Sequence, residues 1–166
     1  MSDFFKIVGE RIKDYPQIKV GRTAEQFLQK AVLMRMGLTD MNALRDRYEG
    51  QSFLDNHRSR LFSNLAIREY LGEIVRMRSY RLVEDNENYI DFKDSRYEII
   101  VAQFGTLPQF KRSEYKKDII LVFQRDLFWI HIVGIIESEE AINPDNFITR
   151  GNYKEFVAFD KAKRIK

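Results

Sequence analysis

Two apolar runs close together in the chain, Ile119–Phe123 (IILVF) and Ile130–Ile136 (IHIVGII), constrain its folding more than any other feature. Each has the length of a strand, and neither keeps a polar side for water. Both therefore need to be covered on two faces. A sheet with such strands near its centre must carry further layers. From Ser79 onward the period is that of strands: YRLVE, YIDF, YEIIVAQF, DIILVF, LFWIHIVGIIE and EFVAFD, separated by the breakers DNEN, KDSR, GTLP and INPDN. Five or six strands are expected there.

The covering layer is legible upstream. In GRTAEQFLQKAVLMRMGLTD, Thr23 and Gln26 make a capping-box pattern. Phe27, Leu28, Ala31, Val32, Met34 and Met36 form a broad apolar stripe, and Gly37 is a natural stop. A short second helix is expected over Met41–Tyr48. A long third one is expected over Asp55–Val75, where Leu61, Phe62, Leu65, Ala66, Tyr70, Leu71 and Ile74 recur at helical spacing. The expected class is α+β, a helical N-terminal half packed on a central mixed β-sheet. It forms one domain over residues 1–166, with 1–21 a helical extension and 22–166 the core.

Composition narrows the function classes. A hydrophobic fraction of 44% supports a real core, and the absence of cysteine excludes disulfides and thiolate metal sites. The start, MSDFFKIVGERIKDYP, has no apolar segment of the signal-peptide kind. The longest apolar stretch, Leu127–Ile136, is too short to span a bilayer. A cytoplasmic protein without a membrane partner is expected. The net charge of +3 and a pI of about 9.0 are compatible with a nucleic-acid partner. Arg76, Arg78 and Arg81 after the long helix, with Lys111, Arg112, Lys116 and Lys117, are candidates for phosphate contacts, as is the tail KAKRIK.

The stretch HRSRLFSNLAIREYLG, residues 57–72, carries the most specific pattern. His57 is followed after seven residues by Asn64, then Leu65-Ala66, and Leu71-Gly72 closes the helix. Asp91 precedes the KDSR turn, Glu98 begins the next strand, and the two apolar strands and EFVAF follow in order. This arrangement resembles small phage and mobile-element proteins of the PD-(D/E)XK nuclease superfamily, over about residues 22–165. Their pattern reads His-x6-Glu-x-Ala on a helix, then Asp, then Glu-x-Lys. The resemblance implies a restriction-endonuclease-like fold and a Mg²⁺ or Mn²⁺ site. It also implies DNA as partner, in a bacterial host cytoplasm.

Phosphodiester hydrolysis in such a site needs carboxylates converging on a hard cation, and a lysine that orients the attacking water. Here the resemblance assigns Asp91 and Glu98 as metal ligands. Two positions depart from it: Asn64 stands where a glutamate is expected, and Ile100 where the lysine is expected. An alternative arrangement takes Asp91-Phe92-Lys93 as the Asp-x-Lys element. Asp85 is then the upstream acid, Glu69 or Glu73 comes from the helix, and Asp91 and Lys93 share a strand face. The expectation is a DNA-binding protein with hydrolysis weakened or lost. The alternatives are an active nuclease using Asp91 and Lys93, or a structural or protein-interaction module, in which a homo-oligomer or another protein is the partner. As plain structure, His57 reads as an exposed or helix-start residue, His131 as a hydrogen-bonded strand histidine, and Phe123, Phe128 and Trp129 as core.

Overall fold

A computed structural model describes residues 8–9, 11–45, 50–72, 89–103, 106–110, 118–126, 128–151 and 153–165. The class is α+β, around a mixed five-stranded sheet. Its strands are β1 (Gln17–Lys19), β2 (Tyr89–Phe92), β3 (Ser95–Gln103), β5 (Ile119–Gln124) and β6 (Trp129–Ile136), in the order β1-β6-β5-β3-β2. β3 and β5 run parallel, and every other pair is antiparallel. The two apolar runs are β5 and β6, side by side at the centre. A smaller antiparallel sheet of β4 (Gln109–Phe110), β8 (Tyr153–Phe156) and β7 (Phe147–Arg150) supplies one cover.

The other cover is helical: α1 (Arg22–Met36), α2 (Met41–Arg45) and α3 (Gly50–Tyr70). A short α4 (Ser138–Ile142) follows β6. Strand alternation divides the core accordingly. Ile90, Ile99, Ile120, Val122, Ile130 and Ile132 pack against Leu28, Val32, Leu61, Phe62 and Leu65 on the helical side. Ala102, Ile119, Leu121, Phe123, Val133 and Ile136 pack against Phe110, Phe156 and Phe159 on the other. Phe110 stacks on Phe156 with centroids 5.4 Å apart, and Phe147 meets both rings edge-on, so the second cover is largely aromatic.

Several expectations are corrected in detail. Where a helical extension is expected before residue 22, the described residues carry a 3-10 turn at Arg11–Asp14 and then β1, an edge strand paired with β6 through Gln17↔His131 and Lys19↔Trp129. Three residues are too few to show a strand period. The helix α1 begins at Arg22 with Gly21 as its N-cap and no side-chain cap, so Thr23 lies inside the first turn and the capping box does not form. Its C-terminal end does follow expectation. Gly37 adopts φ 68, and the bonds Gly37 N→Met34 O and Leu38 N→Leu33 O close the helix in the Schellman pattern. EFVAFD is strand only through Phe156, and Phe159 begins a 3-10 turn. The YRLVE run lies outside the described residues.

The basic tail is more than a solvated end. Lys163 forms an antiparallel bridge with Ile135, continuing the β6 edge that β1 leaves open, and Ile165 is buried in the helical-side core. Gly134 has φ +145, and a Cβ there would enter the Lys163 carbonyl. Glycine is required at this crossing.

His131 is 4% exposed, and neither ring nitrogen has a hydrogen-bond partner among the described residues. The expected strand hydrogen bond is not made. Burial, outweighing the nearby Tyr15 backbone, holds its pKa below the usual 6.5. The unfolded chain then binds a proton that the folded chain refuses. The resulting stability is present above pH 6.5 and is lost as the pH falls from there through the folded value. Urea denaturation at a series of pH values should show this slope in the wild type and lose it in His131→Phe. An unchanged slope in the variant contradicts the assignment.

Candidate functional site

The helix α3 is buried nearly all round. From His57 to Ile67 every residue is buried except Arg60, which is half-buried. An apolar stripe of Leu61, Phe62 and Leu65 accounts for one side. The opposite side carries two rows at i, i+4 spacing, Ser59–Ser63–Ile67 and Arg60–Asn64–Arg68, with His57 beside them. A polar face covered by a sheet must find hydrogen bonds there.

Ser59 and Asn64 do so through neutral groups. Ser59 Oγ donates to Gln124 Oε1 at 2.7 Å and accepts from Gln103 Nε2, which ties the helix to the ends of the parallel pair β3 and β5. Asn64, fully buried, donates from Nδ2 to the Tyr89 carbonyl at 3.2 Å. It accepts at Oδ1 from Arg68 Nε at 2.6 Å. An amide is the side chain that does both at once; a carboxylate has no proton for Tyr89. Position 64 is thus occupied by the residue its hydrogen bonds call for. The same helix is held to α1 by Arg58, whose guanidinium meets Glu25 at 2.5 and 2.8 Å and Asp55 at 2.8 Å. Burial raises the Glu25 pKa, but the hydrogen bonds from Arg58 and Gln29 outweigh it and hold the carboxyl below its usual range.

The expected acids lie elsewhere. Ile90 and Ile99 face α3, so by alternation Asp91 and Glu98 project from the other side of the sheet. Register places Asp91 opposite Arg96, and Tyr89 opposite Glu98. Arg96 Nε bonds Asp91 Oδ1 at 2.9 Å, and its guanidinium lies 5.8 Å from the Tyr89 ring centroid. Asp91 and Glu98 are diagonal neighbours on one face, about 7–8 Å apart at Cα. Asn64 is on the opposite face from both.

Ile100, where a lysine was expected, packs against the aromatic layer between the two sheets. Lys93 stands in the hairpin turn rather than on the strand, with φ 49 at Lys93 and 63 at Asp94, a type I′ pair. The shared strand face that the alternative arrangement needs from Asp91 and Lys93 is not formed. Glu69 is exposed near the end of α3. Glu73 and Asp85 lie outside the described residues, as do Arg76, Arg78, Arg81, Lys111, Arg112, Lys116 and Lys117.

A Mg²⁺ or Mn²⁺ ion in a nuclease needs carboxylates that converge, with the helix residue among them. Among the described residues no group of three His, Asp or Glu side chains is placed to hold a metal ion. The donors that the resemblance names are an amide already bonded twice, a carboxylate bonded to a guanidinium, and a half-buried glutamate across the sheet from that amide. They do not fit such an ion. The signal was legible in the chain: in Ile90-Asp91 and Glu98-Ile99 each acid alternates with a residue bound for the core, and so faces away from the helix that those residues meet. The Ser59–Gln103–Gln124 network was missed. Its mark is a glutamine at the end of each of two apolar strands, with a serine on the long helix to meet them.

No protein-family model, curated protein or solved structure matches this chain.

The fit of the amide at position 64 is open to test. Asn64→Asp keeps the shape but removes the donor to Tyr89 O, and should lower stability by about 1–3 kcal/mol. Equilibrium denaturation measures it. A variant as stable as the wild type would show that the Tyr89 bond contributes nothing.

Proposed function

We propose that this chain is a DNA-binding protein on a PD-(D/E)XK-like framework whose phosphodiester hydrolysis is weak or lost. One observation carries the loss of hydrolysis: the helix residue Asn64 and the strand acids Asp91 and Glu98 sit on opposite faces of the sheet. The order of elements supports the framework: a long helix, a hairpin with Asp91 beside its turn, and a parallel partner for the hairpin's second strand. Support for DNA comes from the net charge of +3, the pI of about 9.0, and the basic runs RMRSYR and FKRSEYKK.

On this reading the positions that correspond to ligands in a nuclease have been taken over by packing. Asn64 bridges helix and hairpin, Ile100 fills the space between sheets, and Asp91 pairs with Arg96. What remains of the ancestral task is adhesion to the phosphate backbone, which needs cations on a surface and no metal.

Retention of DNA on a native gel should fall steeply between 50 and about 200 mM salt. In Mg²⁺ or Mn²⁺, cutting of plasmid or single-stranded DNA should not exceed that of an Asp91→Ala control. Robust cutting abolished by both Asp91→Ala and Lys93→Ala overturns the reading in favour of an active nuclease. Salt-insensitive self-association or protein binding, with no DNA retained, overturns it in favour of a protein-interaction module.

A further inference from the structure

A cation–aromatic–cation row crosses the open end of the large sheet. Ile18 packs with the helical-side core, so its neighbours Gln17 and Lys19 project from the opposite face of β1. Lys19 is directly opposite Trp129 in register, and its Nζ lies 5.9 Å from the indole centroid. On the other flank Gln124 is bonded to α3, so Arg125, the next residue, is turned to the same face as Trp129. Its guanidinium lies 5.1 Å from the ring centroid.

The row is held in place. Asp126 Oδ1 accepts the backbone N–H groups of Phe128 and Trp129 at 3.0 and 3.1 Å, which fixes the β5–β6 turn. Arg125 Nη1 donates to Gln17 Oε1 at 3.0 Å, which links the turn to the edge strand. Trp129 belongs to neither core cluster and is half-buried, while Lys19 and Arg125 are exposed. Lys19 has no carboxylate partner among the described residues. Among the described residues the only acid on Arg125 is Asp126, at 3.9 Å and already engaged by the turn.

We infer that Lys19, Trp129 and Arg125 form a binding site for single-stranded nucleic acid, with the two cations on backbone phosphates and the indole stacked on a base. Unpaired bases offer π-faces that a duplex hides, and a sheet face bearing one aromatic flanked by cations matches alternating phosphate and base. The inference rests on the DNA-binding reading above and assigns that reading a surface. It does not use the basic runs that lie outside the described residues.

Trp129 is the only tryptophan in the chain, so its emission reports this site alone. Three probes distinguish the contributions: a deoxythymidine oligomer, an abasic oligomer of equal length, and a duplex of equal length. The expected result is quenching by the thymidine oligomer, retention of the abasic oligomer with little quenching, and weaker quenching by the duplex. Lys19→Gln and Arg125→Gln should each weaken thymidine-oligomer binding severalfold. Each should also lower the log–log salt slope by about 0.7, the share of one single-strand phosphate contact. Trp129→Phe, which keeps a stacking ring, should lose less affinity by gel retention than either charge variant. Retention without a change in emission, and without weakening in the two charge variants, overturns this site but leaves the DNA-binding reading standing. Equal quenching by the duplex overturns the single-strand assignment. No retention of any oligomer overturns the site and the reading together.

Discussion

The contact between α3 and the sheet depends on hydrogen bonds between neutral groups buried in the interface. Ser59 joins the ends of β3 and β5, and Asn64 joins the hairpin strand β2. Such bonds add little net stability when made, but an unmade one costs the full desolvation of the group. That asymmetry specifies how α3 sits. Sliding or rotating it by one residue would strand two glutamines and an asparagine in a dry interface. Apolar packing around Phe62 and Leu65 supplies the driving force, and the polar face supplies the register.

Because α3 is fixed in this way, the chemistry available on either side of the sheet is fixed too. The helical side holds amides and hydroxyls, with the buried Arg58–Glu25 pair locking α3 to α1. The far side holds Asp91, Arg96, Glu98 and the Tyr89 ring at one end, the aromatic sandwich of Phe110, Phe147 and Phe156 in the middle, and the Lys19–Trp129–Arg125 row at the other end. Among the described residues, no ion pair joins one side of the sheet to the other. A reaction that needed the helix and the hairpin acids together would need a different pairing of strands and helix.

How much of this was legible varied with the range of the interaction. β5 and β6 announce themselves because a strand covered on both faces has to be apolar throughout. The Gly37 stop is a local rule and held. β1, β4 and β7 are two to four residues long and owe their existence to partners far along the chain, as in Gln17↔His131, so no local period marks them. The start of α3 was placed at Asp55, five residues late, because Gly50 discourages a helix that tertiary packing nonetheless imposes. For the site, helical spacing correctly put His57 and Asn64 near one face. It could not say that the face was turned to structural partners rather than to acids. The alternation Ile90-Asp91 and Glu98-Ile99 holds that information, because each acid neighbours a residue bound for the helical-side core.

The central claim, that the hairpin acids and the helix do not cooperate on an ion, is tested most directly by titrating Mn²⁺ into the intact protein by calorimetry. The account predicts no saturable binding that depends on Asp91 or Glu98. A single tight site, lost in Asp91→Asn and again in Glu98→Gln, would contradict it.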